Sequence, residues 1–566
     1  MAKRKQCMQC MTGFANVAAV AFALGACSAL ADTLPSPADP SRIEPLDQQS
    51  VPKRPPAKIV IPEVKSSITV PDAAKQLNFT LQRVKIDGVT AFTENEVAKI
   101  YQPYLNRDVP LASLWMIAGQ ISQLYQDKGY FLSRAYVPAQ EIEGGTVSIN
   151  VVEGYIAEVD IEDKAFAKHR LTQAMVERIK AEKPLSAYDL ESFMLQMKAL
   201  PGNEFRAFVE PIKDADAGVT RLSLRSAEKT GRGSVSFDNF GSRFLGPYQA
   251  TVTYQDSFLP LQETTLSALA TTPSDELKYA AFRHKAAIYP DWTVELSGNY
   301  VTAAPGASLK PNDITSESVN LGIGISWQPI RQRQENLIAS LEFTGRNTNS
   351  YIHDDNPLTR DRIRAARGRL SYDTSDRWNG YNYITVGINQ GLEVLGASDK
   401  GDLYLSRAGA EPDFTTVQLS YTRQQSIYGN FMAIGQLSGQ YASGPLFSAE
   451  EFGYGGQAFG RAYDPSEITG DHGIAASLEL RYLGFDPWEG ITFAPYTFYD
   501  IGKVWNEDVG GVDESGSSAG LGMRLSHSSG LSGNLGLAWP LCREISAPIY
   551  GNGKNPRVLF QLSYTF

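Results

Sequence analysis

From about residue 229 to its last residue, the sequence alternates between apolar and polar side chains in one short run after another. The final run is the clearest example, and its apolar face carries Val558, Phe560, Leu562, Tyr564 and Phe566. Side chains that face lipid and side chains that face the lumen must alternate in a membrane barrel, whose strands are about ten residues long. A soluble β-sandwich also alternates, but rarely over so many successive strands. The pattern predicts a β-dominated chain with a C-terminal transmembrane antiparallel β-barrel.

The length of this region limits the number of strands. If residues 229–566 form sixteen strands, each strand with its connection takes about 21 residues. Fourteen or eighteen strands fit the same length. Because aromatic side chains form girdles where an outer-membrane barrel meets the membrane surface, Tyr564 and Phe566 are the predicted C-terminal signal of the barrel.

Residues 1–31 have the pattern of an export signal. Basic residues precede an apolar core at about 14–25, and Ala29-Leu30-Ala31 forms an A-x-A cleavage pattern before Asp32. A second interpretation is a lipoprotein signal in which Cys27 is acylated. Cleavage after Ala31 would leave Cys542 as the only cysteine of the mature chain, so no internal disulfide is expected.

Composition excludes several other classes of protein. Beyond the signal, no apolar run reaches the roughly 18 to 20 residues that a membrane-spanning helix needs. An exported chain of this kind is soluble in the periplasm, secreted, or a β-barrel. The formal net charge of −10 argues against a protein that binds the phosphate backbone of nucleic acids.

Two copies of one small α+β unit precede the barrel region. Residues 32–77 form a proline-rich connector, predicted to be extended. Residues 78–153 have the order strand, helix, helix, strand, strand, and residues 154–228 repeat it. The predicted elements are Phe79–Ile86, Thr93–Tyr104, Leu111–Lys128, Phe131–Val137, Thr146–Val152, Ile156–Ile161, His169–Ala181, Ala187–Leu200, Phe205–Ile212 and Gly218–Ser226. Such a sheet leaves an edge free, which can accept an extended peptide through backbone hydrogen bonds; a pair of spacer domains is the alternative.

A glycine-rich stretch late in the barrel region combines a loop cation with a strand anion. The loop begins at about Phe452 and carries one arginine, Arg461, and a later strand contains Asp500. Alternation places Phe498 and Asp500 on one face, so Asp500 can point into the lumen. A charge inside a narrow barrel needs a partner. The residues alone leave two interpretations open, an Arg461–Asp500 pair or two unrelated polar groups.

The chain resembles the two-partner secretion (TpsB) transporters of Gram-negative outer membranes, which export haemolysins and filamentous adhesins. This family carries an arginine-glycine-aromatic signature at the tip of a long loop folded into the barrel. Here the corresponding residues are Arg461, Ala462 and Tyr463, followed by Gly470-Asp471. Only glycine adopts a positive φ without cost, so alanine in place of glycine is expected to restrict the backbone at the tip.

The second motif of the resemblance is F-x-D-x-G on the barrel wall. Phe498, Asp500 and Gly502 match it without gaps. The resemblance implies that Arg461 pairs with Asp500 and that these residues, with Tyr463, form a lock between the loop and the wall. It also implies a barrel of sixteen strands behind two polypeptide-transport-associated (POTRA) domains.

A helix that plugs the pore often precedes the connector in this family. Residues 32–50 are poor helix formers here, because they contain Pro35, Pro37, Pro40 and Pro45. The residues therefore leave open whether a plug helix exists.

The resemblance implies an outer-membrane transporter, not an enzyme. Its POTRA domains would lie in the periplasm and bind the N-terminal secretion domain of a large unfolded exoprotein, and the barrel would form the conduit. Further expected partners are outer-membrane lipid and, during biogenesis, the barrel-assembly machinery and periplasmic chaperones.

The sequence contains no pattern for covalent chemistry. None of the five histidines has the spacing of a catalytic triad or a metal site, so no catalytic residue, metal or other cofactor is expected. Two other functions remain as alternatives. A factor that inserts barrels into the membrane usually has more repeats than two, and a passive porin has no need of periplasmic repeats.

Overall fold

The computed structural model describes residues 34–43, 70–201, 205–213, 215–226, 231–353, 356–507, 513–545, 548 and 552–566. The predicted export signal, with the question of Cys27, and most of the connector lie outside these residues. No helix among the described residues combines the length and the apolar character needed to cross a membrane.

The first periplasmic unit has a small sheet covered by two helices. Its elements are β1 (Asn78–Leu81), β2 (Arg83–Asp87), α1 (Glu94–Tyr101), β3 (Arg107–Pro110), α2 (Ser113–Asp127), β4 (Arg134–Tyr136) and β5 (Thr146–Val152). The sheet order is β2-β5-β4, with β2 parallel to β5, and β1 pairs separately with β3. The apolar stripe of α2, with Ile117, Ile121 and Tyr125, is buried against this sheet.

The second unit has the same three-stranded sheet, with three helices and, among the described residues, no counterpart of the β1–β3 pair. Its elements are β6 (Tyr155–Ile161), α3 (Lys164–Lys168), α4 (Arg170–Ala181), α5 (Ala187–Ala199), β7 (Phe205–Pro211) and β8 (Val219–Ser226). The sheet order is β6-β8-β7, and β6 is parallel to β8. Phe166 of the short α3, which the sequence pattern did not predict, is buried in the core with Met197 and Leu222.

The rest of the chain forms a closed antiparallel barrel. Its strands and two short loop strands are β9 (Arg232–Asp238), β10 (Gln249–Asp256), β11 (Gln262–Thr271), β12 (Leu277–Tyr289), β13 (Trp292–Ala303), β14 (Ile314–Arg331), β15 (Glu335–Ile352), β16 (Asn356–Ser375), β17 (Gly380–Gly391), β18 (Thr415–Ser426), β19 (Phe431–Ala442), β20 (Phe452–Tyr454), β21 (Ile468–Gly470), β22 (His472–Tyr482), β23 (Phe485–Trp488), β24 (Ile491–Trp505), β25 (Glu514–His527), β26 (Leu531–Pro540) and β27 (Arg557–Thr565).

The closed sheet confirms the expected barrel of 16 strands. The short strand β23 follows β22 and, like it, pairs with β24, so the two act as one interrupted strand. The hairpin of β20 and β21 forms a separate two-stranded sheet that is not hydrogen-bonded into the wall. Closure occurs where β27 pairs with β9, from Gln561 opposite Asp238 to Thr565 opposite Ser234. Tyr564 and Phe566 lie on the outer face at this seam, with their rings 6.0 Å apart.

The two rims of the barrel differ. One rim has short turns, and two of its residues contact the second periplasmic unit: Gln332 donates to the Tyr188 hydroxyl (3.1 Å), and Arg333 pairs with Glu191 (3.1 Å). This rim therefore faces the periplasm. The opposite rim carries the longer connections, including residues 239–248, 392–414 and 443–471.

Residues 34–43 lie against these longer connections, far along the chain from their own position. They form two 3-10 turns, Ser36–Ala38 and Pro40–Arg42, and no α-helix, while the rest of residues 32–50 lies outside the described residues. Ser242 donates to the carbonyl of Pro37 (2.6 Å), and Ser448 donates to Asp39 (2.8 Å). Residues 34–43 therefore contact the loop that enters the barrel.

Candidate functional site: a loop arginine on the inner wall of the barrel

The connection between β19 and β22, residues 443–471, folds into the lumen. We call residues 457–463 the loop tip, and residues 443–456 and 464–471 the loop stem. The hairpin of β20 and β21 stiffens the stem, with Phe452 opposite Gly470 and Tyr454 opposite Ile468. The tip turns at Gly460, whose positive φ (+72°) suits glycine, and the carbonyl of Gly460 accepts a hydrogen bond from the Tyr463 amide (2.8 Å).

Arg461, at the tip, contacts Asp500 on the wall through three hydrogen bonds. Its Nε donates to Asp500 Oδ2 (3.1 Å), its Nη2 donates to Oδ1 (2.9 Å), and its backbone amide also donates to Oδ2 (3.1 Å). Asp500 is 0% exposed and Arg461 is 8% exposed. A two-pronged arginine–carboxylate contact fixes orientation as well as charge. Removing one member would leave a buried charge uncompensated, at a cost of about 3–5 kcal/mol.

The wall residues around Asp500 come from three neighbouring strands. Ser477 of β22 lies directly opposite Asp500 of β24, and Ser518 of β25 lies opposite it on the other side. Both hydroxyls donate to the Asp500 carboxylate, at 2.8 Å and 3.2 Å. With Arg461, these donors satisfy both oxygens of a carboxylate that no solvent reaches.

Glu479 is a second anion for Arg461 that the motif-based prediction missed. Its Oε2 accepts from Arg461 Nη1 (2.8 Å), and its carboxylate also binds Arg481 (2.7 Å) and Arg524 (2.9 Å). The signal in the sequence was the polar face of β22, where Glu479 follows Ser477 at the spacing of one face. The position of that strand beside the one that carries Asp500 could not be read from the sequence alone.

The remaining residues of the wall motif shape the space for the loop. The guanidinium of Arg461 lies over the Phe498 ring, 3.6 Å from its centroid, as in a cation–π contact. Gly502 leaves room for the Tyr454 ring, because a Cβ at this position would lie 2.2 Å from Tyr454 Cδ2. Phe498, Asp500 and Gly502 thus meet the loop at three different points.

Tyr463 is buried but does not contact Asp500. Its hydroxyl donates to the carbonyls of Ser517 (3.1 Å) and Arg543 (3.0 Å). Ala462 is also fully buried and does not have a positive φ, so the expectation that alanine would restrict the tip was wrong: the positive φ falls on Gly460. The tip is therefore attached to the wall at two points.

The loop stem has the opposite charge from the tip. Arg461 is the only basic residue of the loop, whereas the stem carries Glu450, Glu451, Asp464, Glu467 and Asp471. Each acid pairs with an arginine from another element. Those arginines are Arg42, Arg243, Arg367, Arg407 and Arg557.

These stem contacts come both from wall strands, through Arg367 and Arg557, and from neighbouring connections. Arg243, in the connection 239–248, binds Asp464 (3.0 Å) and Glu467 (2.8 Å). Arg407, in the connection 392–414, binds Asp471 (3.1 Å). Within the described residues, no three His, Cys, Asp or Glu side chains are grouped as ligands for a metal ion.

Comparison with known proteins finds this architecture in a family of outer-membrane transporters. Residues 219–525 match the family described as haemolysin secretion/activation protein ShlB/FhaC/HecB, and residues 79–154 match the ShlB-type POTRA domain. The heme/hemopexin transporter HuxB of Haemophilus influenzae is 22% identical over 486 residues, covering 83% of this chain and 85% of HuxB. The outer membrane transporter CdiB of Dickeya dadantii is 23% identical over 481 residues, covering 82% and 83%. The solved structure of CdiB from Escherichia coli aligns with a TM-score of 0.66 at 19% identity, over 90% of this chain and 93% of that one.

Proposed function

The chain belongs to the ShlB/FhaC/HecB family of haemolysin secretion/activation proteins, and from this premise we propose that it secretes a large unfolded exoprotein across the outer membrane by two-partner secretion. The protein lies in the outer membrane, with its POTRA domains in the periplasm. The observation that carries the proposal is the Arg461–Asp500 contact. This contact holds a loop inside the lumen of a closed barrel, and loops are the elements of a fold that can move most easily.

Recognition of the exoprotein takes place on the periplasmic units. We assign residues 78–153 and 154–228 to two POTRA domains and residues 229–566 to the barrel. Among the described residues, β7 pairs only with β8, so its other edge offers backbone groups to an extended peptide. Phe208, in the middle of this edge strand, is 49% exposed and can contact an apolar side chain of the N-terminal secretion domain.

Transport requires the loop tip to leave its position on the wall. Arg461 must exchange Asp500 and Glu479 for other partners, so the loop-to-wall lock formed by Arg461, Tyr463, Phe498, Asp500 and Gly502 holds the closed state. Residues 34–43 contact the loop stem and move with it or leave the lumen. Folding of the exoprotein outside the cell opposes its return, and this chain performs no covalent chemistry in any step.

Biogenesis of the barrel requires further partners. Tyr564 and Phe566 end the last strand on the outer face and act as the C-terminal signal for the barrel-assembly machinery, after periplasmic chaperones deliver the unfolded chain. Outer-membrane lipid then surrounds the apolar outer wall.

A secretion assay tests this function. Cells that lack the chain should retain one large polypeptide that wild-type cells release, and the wild-type gene should restore its release. The purified protein should bind the N-terminal secretion domain of that polypeptide with nanomolar to micromolar affinity. Unchanged secretion in the deletion strain would contradict the proposal, and impaired insertion of other barrels would instead support an insertion factor. Conductance without such binding would support a porin.

A further inference from the structure

Three arginines lie on the outer face of one barrel strand, close to its extracellular end. They are Arg360, Arg362 and Arg364, each separated by an even number of residues from Leu370 on the same strand, β16. Leu370 is 46% exposed on the lipid-facing wall. Because alternate residues of a strand point to the same face, these three side chains project from the outside of the barrel. A charged side chain there is tolerated near the membrane surface but costs about 2–4 kcal/mol at the midplane.

The arginines lie just above the apolar belt of the wall. Gly345 of β15 is opposite Arg364, and Leu321 of β14, in the same row, is 56% exposed. Two residues further toward the extracellular end, Asn347 is opposite Arg362. On β15 and β16 the outer face therefore changes from apolar to polar at the level of these arginines, as expected where hydrocarbon gives way to headgroups, whereas Val319 of β14, opposite Asn347, is still apolar.

Two of the guanidinium groups are held flat against the sheet by uncharged acceptors. Arg364 donates to the carbonyls of Arg346 (3.1 Å) and Ile363 (2.9 Å). Its side chain crosses Gly345, where a Cβ would lie 3.5 Å from Arg364 Cδ. Arg362 donates to the carbonyl of Asp361 (3.1 Å) and to Asn349 Oδ1 (3.0 Å). Both side chains are thus positioned without a carboxylate.

The positive charge on this face is left without a direct counter-charge. Among the described residues, no carboxylate lies within 4.0 Å of Arg360, Arg362 or Arg364 as an ion pair. The one acid of the same rows, Glu317, accepts from Asn349 (3.2 Å) rather than from an arginine. Among the described residues of these three rows, cations outnumber anions three to one, and the exposed Glu393 lies in the neighbouring connection. This excess of positive charge at the edge of the membrane favours an anionic headgroup.

The connection 392–414, which runs beside β16, adds apolar surface next to the three arginines. The amide of Leu392 donates to the carbonyl of Arg364 (2.8 Å), and the amide of Ser398 donates to that of Arg362 (2.9 Å). Between these two anchor points, Leu395 is 74% exposed. The surface therefore combines fixed cations with apolar contact area, which suits a ligand that has both phosphate groups and acyl chains.

We propose that Arg360, Arg362 and Arg364 bind the phosphate groups of lipopolysaccharide in the outer leaflet around the barrel. Arginine suits this role, since its planar fork donates to two phosphate oxygens at once. The acyl chains of the same molecule lie against the apolar wall below, near Leu321 and Leu370. The site is independent of the lumen, and its occupancy does not require the transport function.

The test measures binding of fluorescent deep-rough lipopolysaccharide to the purified full-length protein in detergent micelles. Arg364→Gln should weaken binding about fivefold, and Arg362→Gln with Arg364→Gln about 25-fold, because each arginine near a lipid headgroup contributes about that factor. Arg369→Gln is the matched control, since Arg369 is on the same strand but faces the lumen, and it should bind like the wild type. The shift of the folded barrel on unheated gels verifies that each variant is folded.

Several results would overturn the assignment. Equal binding of wild type and double variant would exclude the arginines, and equal binding of dephosphorylated lipopolysaccharide would exclude phosphate recognition. Full competition by millimolar inorganic phosphate would indicate a general anion site rather than a lipid site. Loss of exoprotein secretion in the double variant with lipid binding intact would assign the arginines to the secreted partner.

Discussion

The tip and the stem of the loop inside the barrel are held by opposite charge arrangements. The tip contributes one cation, Arg461, to two wall anions, Asp500 and Glu479. The stem contributes anions, and cations from neighbouring connections such as Arg243 bind them. Wall strands are fixed by the hydrogen bonds of the closed sheet, whereas connections are the more mobile part of a fold. The arginine of the tip is thus fastened to the rigid wall, whereas the stem is fastened partly to the wall, through Arg367 and Arg557, and partly to connections that can move with it.

The largest expected effect is at the tip. Asp500→Ala removes the partner of three Arg461 hydrogen bonds and leaves Glu479 as the carboxylate that the cation still contacts. We expect at least tenfold less exoprotein release, because a tip whose buried pair is broken, at a cost of about 3–5 kcal/mol, no longer returns to one defined position on the wall after each opening. Arg461→Ala should have a similar effect. The measurement is the amount of exoprotein in the medium, normalised to folded barrel in the outer membrane.

Asp373→Ala is the matched control for this experiment. Asp373 is also a luminal carboxylate on a barrel strand, but it accepts a hydrogen bond from Asn336 of the neighbouring strand (3.0 Å) rather than from the loop. It should secrete like the wild type. If both tip variants secrete at the wild-type level while Asp373→Ala does so too, the loop-to-wall lock has no role in transport.

Glu479→Gln should have an intermediate effect. Arg461 keeps its three contacts with Asp500, but Arg481 and Arg524 lose the anion that they share with it. We expect a threefold to tenfold decrease in secretion. A double-mutant cycle with Arg461→Ala measures whether the two residues act together. Strict additivity would show that Glu479 serves only Arg481 and Arg524 and does not belong to the tip.

The sequence predicted one wall partner of the tip, Asp500, but not the other, Glu479. The difference is that one prediction depends on a single strand and the other on how two strands pair. The alternation around Phe498 and Asp500 is local, so it assigned Asp500 to the luminal face, where the structure places it. The contacts of Glu479 depend on which strands are neighbours and on their register, which pairs Glu479 with Phe498. Register between strands is not encoded in either strand alone.

The same limit explains the errors in the periplasmic units. The predicted strand Phe79–Ile86 is divided into β1 and β2, and the predicted strand Phe131–Val137 is reduced to Arg134–Tyr136. Both segments have the composition of a strand, but only residues with a pairing partner form one. Helix α2 was predicted within a few residues because its apolar stripe and the following Gly129, with a φ of +87°, are local signals.

A stem variant should have a smaller effect on secretion than a tip variant. Arg243→Gln removes the two-pronged contact with Glu467, but Asp464 keeps Arg557 at 3.0 Å. We expect secretion within twofold of the wild type and faster cleavage of the loop by protease added to intact cells. A decrease in secretion as large as that of Asp500→Ala would show that stem and tip act as one unit. The proposed difference between how the two parts are held would then be wrong.

The smallest expected effect is on the contact between the stem and the N-terminal segment. Arg42 donates to the carbonyl of Glu451 (3.0 Å), and its side chain and that of Glu451 are both largely buried. Arg42→Ala removes this contact but leaves the hydrogen bonds of Pro37 and Asp39 in place. We therefore expect more frequent brief openings in planar-bilayer recordings and normal secretion, because the tip still holds the closed state. Lys75→Ala is the control, since Lys75 pairs with Asp72 at the exposed surface and should leave the current unchanged. Permanent high conductance in Arg42→Ala would mean that the N-terminal segment, rather than the tip, closes the barrel.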